Sequence, residues 1–196
     1  MRESILPALR AALVTLVLTG LAYPLAVTGL SQLLFADRAN GSLVKNERGV
    51  VVGSELIAQP FTSAGYFQPR PSAAGDKGWD PTASGGSNLG PTSKKLRDRV
   101  AADVARLQDE NREPIPAELV TTSASGLDPH LSPTAALWQV PRVAKARRVE
   151  EGRVRGVVES QIEGRDLGFL GEPRVNVLLL NLALDRQFGR AAPSGG

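Results

Sequence analysis

Within TTSASGLDPH (residues 121–130) stand Ser125, Asp128 and His130, the side-chain types of a hydrolytic triad. Such a site needs a serine nucleophile, a base that takes its proton and a carboxylate that orients the base. His130 is the only histidine in the chain. Closeness in sequence does not place a base between its two partners, and no G-x-S-x-G turn presents the serine. The stretch reads better as an ordered loop whose hydroxyls and carboxylate cap turns. An anchored hydrolase using Ser125 and His130 is the weaker alternative. With one histidine and no cysteine, the chain cannot build an ordinary zinc shell, and no disulfide can form.

A second candidate is SGGSNLGPTSKK, residues 84–95, where glycines precede a helical stretch. Backbone N–H groups at such a junction can hold an anion. Gly85 and Gly90 match the first part of a phosphate loop, but Pro91 and Thr92 stand where lysine and a hydroxyl residue belong. Pro91 also has no N–H to donate. A structural turn is the better reading, with an anion-binding module as the alternative. A third candidate is the basic run Arg142, Lys145, Arg147, Arg148, Arg153 and Arg155, interleaved with Glu150 and Glu151. It lacks the aromatic residues of a nucleic-acid platform and reads as a solvated helix face, with a docking face for an acidic partner surface as the alternative.

The elements that must position these residues are mostly helices. Leu96, Val100, Val104 and Leu107 form one apolar stripe at helical spacing, ended by Pro114 and Pro116. Ser132-Pro133 is an N-cap followed by proline at the first helical position, opening a helix with Leu137, Trp138 and Val140 that Pro141 interrupts. Val154, Val157, Val158 and Ile162 mark a further helix from about Glu150. VNVLLLNLAL, residues 175–184, is nearly all apolar and reads as a buried helix, with a strand as the alternative. Residues 40–61 read as a β-hairpin, with strands from Leu43 and over 50–52 around a turn at 46–49. Residues 62–91 are rich in Gly, Pro and Ser and carry Tyr66, Phe67 and Trp79. That composition forbids a long helix, and the aromatics call for an ordered loop packed on something.

Ahead of all this, no charge stands between Arg10 and Asp37. Roughly 20 apolar residues cross a bilayer as a helix, so residues 11–36 are expected to span it. A cleaved signal peptide would have a shorter apolar core, and Gly20-Leu21-Ala22 is the only passable cleavage site. Pro24 is expected to kink the span. Lys and Arg nearly balance across it, so the orientation is weakly written. The preferred arrangement is a short cytoplasmic tail (1–10), a transmembrane helix (11–36), a soluble extracytoplasmic domain (37–190) and a frayed tail (191–196). The class is α+β, one N-terminal transmembrane helix plus a single mostly helical extracytoplasmic domain with a β-hairpin. The part beyond the span keeps 21 of the 23 bases and 19 of the 20 acids, about +2, too mild for nucleic acid.

Seven segments in order carry a resemblance: GLAYPL (20–25), GSELIAQPF (53–61), YFQPRPS (66–72), SGGSNLGP (84–91), LVTTSASGLDPHLSP (119–133), QVPRVAKAR (139–147) and GFLGEPRVNVLLLNLALD (168–185). Together they resemble the C subunit of the Kdp-type potassium-transporting ATPase. The resemblance implies a non-catalytic accessory subunit of a bacterial inner-membrane complex for high-affinity potassium uptake, with its domain on the periplasmic side. It implies as partners a channel-like potassium-selecting subunit, a P-type ATPase catalytic subunit, a small stabilising subunit and membrane lipid. ATP and K+ would enter at the level of the complex, with no cofactor in this chain by itself. The Asp-Lys-Thr-Gly-Thr phosphorylation motif of such ATPases does not occur here.

The family's association with nucleotides makes Ser84, Gly85, Gly86, Ser87 and Asn88 its candidate nucleotide loop, although an exported domain meets little ATP. Candidates for the partner interface are Thr15, Thr19, Gly20, Tyr23 and Pro24 in the span and Tyr66, Phe67 and Trp79 in the long loop. Thr15/Thr19 and Ala22/Ala26 place small residues at i, i+4, which permits close approach between helices in lipid.

Overall fold

The computed structural model describes residues 2–46 and 48–191. The chain divides into two compact units, Met1–Val52 and Gly53–Gly196.

In the first unit, α1 (Arg2–Val17) runs through a π-helical turn at Leu18–Ala22 into α2 (Tyr23–Leu34). The helix therefore starts well before residue 11, and the charged side chain of Arg10 lies within it. Ser4–Leu34 is long and apolar enough to cross a membrane, with a mean hydropathy of 1.9 and nothing in its most apolar window buried. Pro24 stands at the first turn of α2, where its missing N–H is tolerated, and the π turn just before it absorbs the mismatch. The expected break at Pro24 thus takes the form of a widened turn.

After α2 comes the short helix α3 (Ala36–Ala39). Asn40 tethers it, since the Asn40 and Gln32 carboxamides bond each other reciprocally at 3.2 and 3.3 Å and Asn40 Nδ2 also donates to Ala36 O. The hairpin follows as β1 (Leu43–Lys45) and β2 (Val51–Ser54), paired in a two-stranded sheet. Asn46 Oδ1 accepts from the N–H groups of Arg48 and Val50, which is why an Asn starts this turn.

In the second unit, α4 (Lys94–Gln108) is capped by Ser93, whose Oγ accepts from Leu96 N–H. Three of its four stripe residues pack as the spacing predicts, with Leu107 buried and Val100 and Val104 against the core, while Leu96 in the first turn is half-buried outside the core cluster. A 3-10 turn at Ala117–Leu119 leads to β3 (His130–Leu131). Ser132 caps α5 (Pro133–Trp138) and also bonds Glu118, and Pro141 opens α6 (Val140–Arg147). Next come α7 (Glu151–Ser160), β4 (Ile162–Glu163), β5 (Arg174–Asn176) and α8 (Val177–Phe188).

The three short strands make one antiparallel sheet in the order β3-β5-β4, with Leu131 and Ile162 both opposite Val175. Ile162 therefore belongs to β4 and not to α7: the helix ends at Ser160, and Ile162 turns its apolar surface to the same core from a strand. Residues 175–184 are strand and then helix. Asn176 is the hinge, because its Oδ1 accepts from Leu179 N–H as a helix cap and its Nδ2 donates to Glu55 O. The core contains Phe67, Leu131, Val140, Val143, Val154, Val158, Val175, Leu180 and Leu184, all fully buried.

Candidate functional site

The long loop after the hairpin is ordered because buried side chains hydrogen-bond its backbone. Phe67 N–H donates to Asn181 Oδ1 at 2.8 Å, and Asn181 Nδ2 donates to Phe67 O at 2.9 Å. Gln139 does the same for Gln68, at 2.9 and 3.0 Å. Two carboxamides, from α8 and from the α5–α6 junction, thus stand in for the neighbouring strands that this extended segment lacks. Arg142 Nη1 donates to Ala64 O and Tyr66 O, and its Nε makes a 2.7 Å ion pair with Glu110. Burial pushes the Arg142 guanidinium below its ordinary value, and Glu110 pushes back.

The Arg147 side chain is 3% exposed and joins Gly65 O, Gly189 O and Asp185. Tyr66 completes the cluster, with its hydroxyl 2.8 Å from Asp185 and its ring 5.0 Å from the Arg147 guanidinium. Burial, then Asp185, raises the Tyr66 hydroxyl above its ordinary value. The basic run is therefore not one solvated face. Lys145, Arg148, Arg153 and Arg155 are exposed, while Arg142 and Arg147 face inward because the loop carbonyls need donors.

Phe67 is 0% exposed, so its ring belongs to this chain's own core and offers no partner a surface. Trp79 is half-buried at φ +54° and lines a cavity of about 240 Å³ with Phe61, Gln68, Pro69, Pro71 and Leu107. Its indole N–H is buried without a hydrogen-bond partner among the described residues.

The glycine-serine loop lies along residues 123–126. Gly85 N–H and Ser84 Oγ both donate to Ser125 O, at 2.8 and 3.1 Å, and a side chain on Gly86 would sit 3.0 Å from Ala124 O. Gly126 has φ +69°, and a Cβ there would meet Ala74 N and Gly85 O at 2.8 Å. These glycines let three backbones pack together. Asn88 adopts φ +51°, a left-handed conformation that asparagine tolerates.

Ser125 Oγ accepts from Leu127 N–H in the same turn. Asp128 faces His130, with His130 Nδ1 at 3.7 Å, and makes a 3.3 Å ion pair with Arg70. The His130 side chain holds the Asp128 carboxyl below its ordinary value, assisted by His130 N–H and Arg70 against the effect of burial. The three residues of the imagined triad are thus turn and ion-pair groups, and the hydrolase alternative finds no support.

One feature had no signal in the periodicity. The loop between β4 and β5 folds into a tight turn with Asp166 N–H on Leu170 O at 2.9 Å, and it holds Leu167, Phe169 and Leu170 outward at 83%, 67% and 49% exposure. Ion pairs brace its base: Arg174 with Glu163 at 3.0 Å and with Asp166 at 3.1 Å, and Arg165 with Glu172 at 2.7 Å. Asp166, then Glu163, hold the Arg174 guanidinium above its ordinary value.

The family model described as KdpC, the c chain of the K+-transporting ATPase, matches residues 5–186. The chain belongs to the KdpC family. It is 65% identical to the Potassium-transporting ATPase KdpC subunit of Myxococcus xanthus, across 100% of this chain and 95% of that protein. It is 53% identical to the subunit of the same name from Koribacter versatilis, over 94% of this chain and 95% of the relative. A third, from Mycobacterium tuberculosis, is 53% identical over 95% of this chain and 100% of its own length. Family membership makes the chain a non-catalytic accessory subunit of a potassium uptake complex.

Proposed function

We propose that this chain anchors and docks the assembly of the uptake complex. Its N-terminal helix crosses the inner membrane once, and the rest of the chain lies on the periplasmic side against the channel-like potassium-selecting subunit. A separate P-type subunit supplies ATP hydrolysis, and a small subunit adds stability. Potassium and ATP then act at the level of the complex, and the chain contributes to holding the channel-like subunit and to potassium access. Ser84, Gly85, Gly86, Ser87 and Asn88 fit a structural turn better than a nucleotide cradle, since Gly85 N–H is committed to Ser125 O.

The observation that carries the docking reading is the braced tip with Leu167, Phe169 and Leu170 exposed. Clustered exposed apolar side chains mark interaction sites more often than chance positions do. The charges around this tip are paired within the chain, so it suits a neutral protein pocket better than an anionic lipid surface. The test replaces Leu167 and Phe169 by serine in the full chain, co-expressed with its partner subunits. Recovery of the channel-like subunit is expected to fall about tenfold or more, the scale of about 1.4 kcal/mol or more of lost contact, while the thermal unfolding midpoint stays put. Unchanged recovery would sink the docking role of the tip.

A further inference from the structure

The π turn leaves a backbone carbonyl in the middle of the apolar helix without a backbone donor at either the α or the π spacing among the described residues. In an α-helix Thr19 O would accept from Tyr23 N–H, but Tyr23 N–H donates to Leu18 O instead. The next donor along, at the π spacing, would be residue 24, and Pro24 has no N–H. The same proline removes the ordinary donor of Gly20 O. Thr19 cannot repair this itself, since its hydroxyl donates to Thr15 O at 2.8 Å. Thr19 lies fifteen residues from each end of Ser4–Leu34, about 22 Å along the axis at 1.5 Å per residue. If the helix spans the bilayer as proposed above, this carbonyl sits inside the hydrocarbon core, where lipid offers no donor and an unpaired polar group is costly.

We infer that a transmembrane helix of another subunit packs on the Thr19–Gly20 level and donates a side-chain hydroxyl, amide or indole hydrogen to Thr19 O. The partial negative charge of the unpaired carbonyl is what the occupant must complement. Gly20 next to it adds no side chain, so the approach is open. A parallel second copy of this chain brings to that level its own Thr19, whose hydroxyl hydrogen is already committed, and offers only the Tyr23 phenol one turn away, so self-association is the competing outcome that the measurement below excludes. The requirement is for a donor, not only for small residues, and that separates this contact from general helix packing.

Isotope-edited infrared spectroscopy reads the contact directly. A carbon-13, oxygen-18 carbonyl label is placed at Thr19 of the full chain, with Leu13 labelled as a control. In bilayers the chain alone is expected to show the Thr19 band at the frequency of a free carbonyl. In the reconstituted complex with its partner subunits the band shifts down, and the Leu13 band stays fixed. The same Thr19 frequency in both preparations overturns the inference. So does a downshift that grows with the density of this chain alone, which would mean self-association. A downshifted band in the chain alone together with deuterium exchange across residues 13–30 refutes the spanning reading instead, and with it this contact. A Pro24→Leu variant returns an N–H to the ladder, and recovery of partner subunits should fall about 3- to 30-fold, the range one intramembrane hydrogen bond commands; undiminished recovery also counts against the contact.

Discussion

Asn181 and Gln139 are buried polar side chains in apolar surroundings, and each gives both its donor and its acceptor to one residue of the loop. An Asn181→Leu chain keeps the volume and removes both bonds, leaving the Phe67 N–H and C=O unpaired in the core. The expected loss is about 3 kcal/mol, measured by denaturant unfolding of the purified chain, and a change under about 1 kcal/mol would show that water replaces the amide. Asp128 contributes to the acid sensitivity. Its carboxyl is held below the ordinary value, so it contributes stability at pH above the ordinary carboxylate range, and that contribution is lost as pH falls through its lowered folded value. The unfolding midpoint of an Asp128→Asn chain should therefore depend less on pH over the acid limb than that of the parent, and parallel curves would contradict this. Sequence showed Asp128 and His130 as neighbours but not Arg70, which closes the pair from far away in the chain.

Elements whose signals are local were readable: the Ser132 cap, the stripe on α4, the break at Pro141 and the turn at Asn46 depend on neighbours within a few residues. The inward turn of Arg142 and Arg147 was not readable, because the carbonyls they satisfy lie at residues 64–66 and no local pattern marks them. Residues 175–184 were ambiguous for a physical reason: one apolar run serves as the central strand of a sheet and then as a core helix, with Asn176 as the switch. Of the candidate site, the glycine loop was legible as a turn, but its dependence on the 123–126 segment was not. That dependence predicts that Gly126→Ala will be destabilising by about 3 kcal/mol or more, from the left-handed backbone and the 2.8 Å approaches together. Gly90→Ala, with open space around it, is the matched control, and equal midpoints for the two variants would refute the packing role.

At the scale of the whole chain, a membrane-competent helix and a compact unit with an apolar, ion-braced tip divide the labour of a subunit that catalyses nothing itself. The compact unit is closed by its last helix. A chain stopped after Asn176 retains β5 but lacks Asn181 and Asp185, so chymotrypsin is expected to cut after Phe67, which is buried in the full chain, many times faster than in the full chain; equal rates would show that the loop orders without α8. Phe67 meets Asn181 across 114 residues of sequence and Tyr66 meets Asp185 across 119. Contacts this distant form late, because the intervening chain must first be confined. A polypeptide delivered from its N-terminus onward therefore cannot shut this core until α8 has arrived, which keeps the long loop pliable until then.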